Sequence, residues 1–96
     1  MKEEERFQQR IIELARYKGF DSIYHTHDSR HSPAGFPDLL LLKDQRMIVA
    51  ELKAGKNNLS AEQYFWLLAF TKITEDVYVW WDNDDDWNEI LEVIRN

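Results

Sequence analysis

Three charged residues carry the chemical information in this chain. Asp38 follows Pro37 at the head of an apolar run, and Glu51 and Lys53 stand two residues apart at the end of another. Two carboxylates joined by a nearby backbone carbonyl make a hard oxygen site of the kind Mg²⁺ or Mn²⁺ prefers. An ammonium beside them can position a water or offset the negative charge that builds up when a phosphoryl group is transferred. The chemistry these residue types suggest is hydrolysis of a phosphodiester, provided the fold brings them together.

The flanking sequence supplies a way to do so. Residues 38–42 and 47–53 read as two apolar strands joined by Lys43-Asp44-Gln45-Arg46, a connection short enough for an antiparallel hairpin. Pro37-Asp38 opens one strand and Glu51-Leu52-Lys53 closes the other, so pairing brings the charged groups to one end. Successive strand residues alternate sides, which sends Leu52 into the core and puts Glu51 and Lys53 on the same opposite face.

Around the hairpin, Phe7, Ile11, Ile12, Leu14 and Ala15 recur at helical spacing between residues 2 and 18, and Lys18-Gly19 supplies a stop. Residues 22–27 are β-branched and aromatic enough for a strand, followed by a long polar loop with Pro33, Gly35 and Pro37 that is expected to be mobile. Ser60-Ala61-Glu62-Gln63 matches a capping box and starts a helix running to about Lys72. Its centre, residues 64–70, is apolar in every direction, so no face of it is suited to water. Residues 77–81 form a fourth strand, and an acidic turn caps a last helix over 86–95. The order predicts an α/β fold, a four-stranded sheet flanked by helices, in a single domain over 1–96.

Composition narrows the classes further. The chain has 96 residues, 44% of them apolar, with four Trp, five Phe and four Tyr, enough for a real core. It has no cysteine, which excludes disulfides and thiolate metal sites. Without a recognisable signal peptide, a cytoplasmic setting is expected, and no apolar run approaches the roughly 20 residues of a membrane span. The net charge of −6 is unevenly spread: residues 1–20 carry +1, residues 21–60 carry 0 and residues 61–96 carry −7. The acidity therefore sits in the C-terminal third, and nucleic-acid binding is not excluded. Any such binding should be salt-sensitive and lean on a metal ion rather than on a broad basic surface.

Pro37-Asp38 followed by Glu51-x-Lys53 after a hairpin resembles the signature of the PD-(D/E)xK nuclease superfamily. Gly35-Phe36-Pro37-Asp38-Leu39, Glu51-Leu52-Lys53, Gly55 and Ser60-x-x-Gln63 together look like the VRR-Nuc family, and the likeness runs over nearly the whole chain. It implies a restriction-endonuclease-like αβββαβ core with a mixed sheet and an added C-terminal helix. The site it implies has Asp38, Glu51 and the Leu52 carbonyl as metal ligands, Lys53 assisting the water and Gln63 positioning the site. A first-helix glutamate, best matched by Glu4 because Phe7 and Gln8 follow it, would hold a metal or its waters. The implied activity is a Mg²⁺- or Mn²⁺-dependent endodeoxyribonuclease, a homodimer selective for branched DNA such as a four-way junction. The alternatives are a nicking, flap- or single-strand-directed nuclease and a non-catalytic DNA-binding module.

Plainer readings stand beside these. An Asp-Glu-Lys cluster can be a structural ion pair, and the capping box alone explains Gln63. His25, His27 and His31 suggest zinc only if the loop supplies a third ligand. Asp82-Asn83-Asp84-Asp85-Asp86 fails as a calcium loop because Trp87 and Val93 stand where Gly and Glu are needed. Gly55-Lys56 lacks the upstream glycine of a phosphate loop. Finally, Tyr64, Phe65, Trp66, Leu67, Phe70, Tyr78, Trp80 and Trp81 exceed what one small core absorbs, which predicts self-association unless Ile90, Leu91 and Ile94 of the last helix cover them.

Overall fold

The computed structural model describes residues 3–26 and 32–95. In chain order the elements are α1 (Glu3–Tyr17), β1 (Ser22–His25), β2 (Leu39–Lys43), β3 (Arg46–Lys53), α2 (Ala61–Thr71), β4 (Val77–Trp81) and α3 (Asp84–Arg95). The four strands form one mixed sheet in the order β1-β2-β3-β4. The first three run antiparallel, whereas β4 pairs parallel to β3 and needs the crossover that α2 supplies. This is the α/β class and the αβββαβ order with a C-terminal helix that the sequence predicts.

Side-chain alternation divides the sheet between two layers. Leu39, Leu41, Ile48, Ala50, Leu52 and Trp80 turn to the face covered by α1 and α3, where Phe7, Ile11, Ile12, Ala15, Ile90 and Ile94 complete the buried core. Glu51 and Lys53 turn to the other face, with α2. That leaves Glu51 and Lys53 outside the main core but on β3, which pairs with a strand on either side.

Several boundaries differ from expectation. The first strand ends at His25 rather than 27, and His27 and His31 lie outside the described residues. Asp38 precedes β2 instead of opening it. Arg46 joins β3, held by a two-pronged ion pair to Asp76 at 2.8 and 3.2 Å. α3 starts two residues early, because Asn83 Oδ1 accepts the Asp86 N–H at 2.7 Å and the three aspartates sit favourably in its first turn.

One expectation about packing is corrected, and the alternative in which the last helix covers the apolar surface is not met. Trp80 belongs to no outer surface: it is fully buried, with its Nε1 donating to Glu89 at 2.7 Å. α3 does not cover α2 either, since Ile90 and Ile94 pack with α1 on the opposite face and Leu91 is exposed. Only Leu67 of α2 is buried, while Tyr64, Phe65 and Leu68 are 57%, 67% and 47% exposed. Among the described residues no helix is long and apolar enough to cross a membrane.

Candidate active site

Antiparallel pairing of Leu39 with Ala50 places Asp38 opposite Glu51 one step further along. The Leu52 N–H, on the strand between Glu51 and Lys53, donates to Asp38 Oδ2 at 2.8 Å and fixes that carboxyl against β3. Glu51 is 3% exposed and Lys53 8%, so both are buried beneath the start of α2 rather than turned to water. The three residues that the sequence brings forward are thus gathered at one end of the hairpin.

Gln63 joins them from α2. Its Oε1 accepts the Lys53 ammonium at 2.8 Å and also the Ser60 N–H at 2.8 Å, and its Nε2 donates to Glu51 Oε2 at 3.0 Å. Only this orientation of the amide works, because the reverse would aim NH₂ at an ammonium and a carbonyl oxygen at a carboxylate. Ser60 Oγ accepts the Gln63 N–H at 3.1 Å and completes the capping box. The capping and bridging readings of Gln63 are therefore one arrangement: the amide that caps α2 also spans Lys53 and Glu51.

The segment expected to be a mobile loop is anchored over 32–38. Trp66 Nε1 donates to the Ala34 carbonyl at 3.1 Å, and the Phe36 ring meets Trp66 edge-on at 5.2 Å between centroids. Gly35 has φ +78°, and a Cβ there would lie 2.5–2.6 Å from Glu62 and the Gln63 backbone. Glycine lets the Asp38 segment press directly on the turn of α2 that carries Gln63.

Between α1 and the strand ends lies a cleft of about 400 Å³ lined by Glu4, Glu5, Gln8, Gln9, His25, Thr26 and Asp38. Glu4 and Glu5 both face it, and the charge of Glu4 is felt at Glu51. His25 Nδ1 pairs with the Gln8 amide at 3.2 Å. Among the described residues no three His, Cys, Asp or Glu side chains gather closely enough to hold a metal by themselves, and the zinc reading gains nothing from His25.

Glu51 supplies a test of whether a cation fits. Its Oε2 is served by Gln63 and lies 3.7 Å from Lys53 Nζ, but Oε1 is buried with no hydrogen-bond donor among the described residues. The facing Asp38 carboxylate is an acceptor too, so the pair is satisfied only when a proton or a cation lies between them. Burial, then the charge of Asp38, pushes Glu51 up to about 8, with Lys53 opposing; burial also raises Asp38 above the usual aspartate range, against the Leu52 hydrogen bond. Two desolvated carboxylates with an orphaned oxygen suit a hard divalent cation. Since the side chains alone do not complete a shell, the remaining ligands would be waters, the Leu52 carbonyl and Glu4 from the cleft.

Sequence reasoning missed Thr26, Gly35's close approach and the Trp66 anchor. The pairing of β1 with β2 would have placed Thr26 beside Asp38, but that register is set by tertiary packing rather than by a local motif. No family model, no curated protein and no solved structure matches this chain, so the reading of its site rests on its own residues and geometry.

Proposed function

We propose that the chain is a Mg²⁺- or Mn²⁺-dependent endodeoxyribonuclease. The observation that carries this reading is the half-buried Asp38 facing the buried Glu51, whose Oε1 has no donor among the described residues, set beside Lys53. A divalent cation held there by Asp38 and Glu51 would supply Lewis-acid polarisation of a phosphoryl oxygen and a more acidic water. Gln63 holds the Lys53 ammonium in place by a single short bond, and Lys53 orients the nucleophilic water or offsets charge on the phosphoryl group. Glu4 fixes waters from the cleft side. The resemblance to VRR-Nuc nucleases supports the same roles.

The substrate in this proposal is branched DNA such as a four-way (Holliday) junction, and the acting form is a homodimer in the cytoplasm. A two-fold dimer offers two sites for the two symmetry-related strands of a junction, and the exposed Tyr64, Phe65 and Leu68 of α2 give it an apolar surface to form on. A cleavage assay on linear, flap and four-way-junction DNA, with and without Mg²⁺ or Mn²⁺, tests the reading. Metal-dependent cutting of the junction is expected. Cutting confined to flap or single-stranded DNA would keep the reaction and replace the substrate. No cutting of any DNA with either ion would leave a DNA-binding module without turnover.

A further inference from the structure

We propose that Thr26, through its hydroxyl, is a positioning residue that sets the Asp38 carboxyl for metal binding. As a metal-site claim it rests on the reading of Asp38 as a ligand; as a statement about Asp38 geometry it stands alone.

The β1–β2 register ends at His25 opposite Leu39, and one step further Thr26 faces Asp38. The Thr26 N–H donates to the Asp38 carbonyl at 3.1 Å, which adds one more rung to the ladder. Its hydroxyl then reaches the preceding carbonyl, that of Pro37, also at 3.1 Å. Pro37 has no N–H, so this carbonyl is the single backbone hydrogen-bonding group that residue possesses. One side chain thus secures the peptide on which Asp38 is built, at the point where β1 leaves the sheet and backbone pairing can no longer do so.

From the other side, the Leu52 N–H holds Asp38 Oδ2 at 2.8 Å. Asp38 is consequently fixed twice, its backbone by β1 and its carboxyl by β3. Thr26 lines the cleft beside Asp38, yet its hydroxyl proton is spent on Pro37 rather than offered to a substrate, which makes its role one of position. A ligand set holds its geometry to within about 0.5 Å only when the supporting hydrogen bonds are in place. Thr26 supplies such a bond, and a hydroxyl is its only requirement: valine keeps the β-branched shape and the backbone bond, and serine keeps the hydroxyl.

The test uses the full chain with Thr26→Val and Thr26→Ser. In the metal-free protein, amide exchange at Leu52 is compared with that at buried Ile48, which reports global opening. Thr26→Val should speed Leu52 exchange about five- to ten-fold relative to Ile48, the size of one lost hydrogen bond. Thr26→Ser should stay within about three-fold of wild type. Titration calorimetry with Mn²⁺ should show affinity weakened about ten- to a hundred-fold by valine and restored by serine. Thr26→Ala serves the same comparison if the valine protein does not fold. Leu52 exchange that moves only in step with Ile48, or a serine variant as impaired as valine, overturns the proposal. Wild-type protein that binds no Mn²⁺ refutes the metal reading, which the Leu52 measurement separates from a failure of the Thr26 claim.

Discussion

Asp38 and Glu51 face one another across the β2–β3 pairing, one residue beyond the Leu39–Ala50 pair, with Glu51 buried and Asp38 half-buried at the edge of the cleft beside α1. Burial and the facing Asp38 make Glu51 harder to ionise, whereas burial alone raises Asp38, and Glu51 is left with an oxygen that no donor among the described residues reaches. Such an arrangement is costly unless a proton or a cation offsets the charge.

The first prediction concerns pH. Glu51 is raised from 4.5 to about 8 in the folded protein, so the folded state binds a proton more tightly than the unfolded chain. Stability from this group is fully present below the unfolded value and is lost as pH rises through about 8. In EDTA the protein should lose on the order of 3 kcal/mol between pH 5 and pH 9. Glu51→Gln should flatten that loss, and Mn²⁺ at pH 8 should restore wild type. Urea melts across the range check it; a wild-type stability that climbs toward pH 9 would contradict the buried-pair account.

Gln63→Ala removes the amide that joins the capping box to Lys53 and Glu51. It should cost about 1–2 kcal/mol of stability, as a lost cap does, and lower kcat by roughly ten-fold or more through a loosened Lys53. Gln63→Glu should be worse at neutral pH, because it sets a third carboxylate against Glu51 Oε2. Denaturation and single-turnover cleavage measured on the same samples separate the two effects. Activity equal to wild type in Gln63→Ala would reduce the residue to a helix cap.

The first helix offers a discrimination among neighbours. Glu4 and Glu5 both line the cleft, but it is Glu4 whose charge reaches Glu51. Alanine at Glu4 should therefore weaken Mn²⁺-dependent cleavage more than alanine at Glu3 or Glu5. Greater sensitivity at Glu5 would move the role by one position.

Self-association is tested on the exposed face of α2. Sedimentation at micromolar concentration should give twice the 11.6 kDa chain mass, and Phe65→Glu with Leu68→Glu should return the monomer. A wild-type monomer would remove the dimer and weaken the junction reading with it.

What could be read from sequence follows the range of the interactions. The hairpin, the helical period of α1 and the Ser60 capping box are local patterns, and each is found where its residues predict. Asp38, Glu51 and Lys53 come together because a short hairpin leaves them no alternative. Gln63 was legible as a cap, but its bridge between Lys53 and Glu51 depends on how α2 lies over β3. Thr26, Gly35 and Trp66 act through contacts between segments far apart in the chain, which no spacing encodes. The burial of Trp80 departs from expectation for the same reason: in an all-apolar strand, periodicity does not say which residue the core takes.

The central claim is that Asp38, Glu51 and Lys53 form one metal-dependent phosphodiester-cleaving centre. Its most direct test is cleavage of a labelled four-way junction in Mg²⁺ by wild type, Asp38→Ala, Glu51→Ala and Lys53→Ala, with Mn²⁺ binding and circular dichroism measured on each. The account predicts cutting by wild type that EDTA abolishes, and at least a 100-fold loss in every variant, as removal of a catalytic group typically brings. Mn²⁺ binding should be lost in the two carboxylate variants and largely kept in Lys53→Ala, with all three folded. Full metal-dependent cleavage by folded Asp38→Ala protein would contradict it.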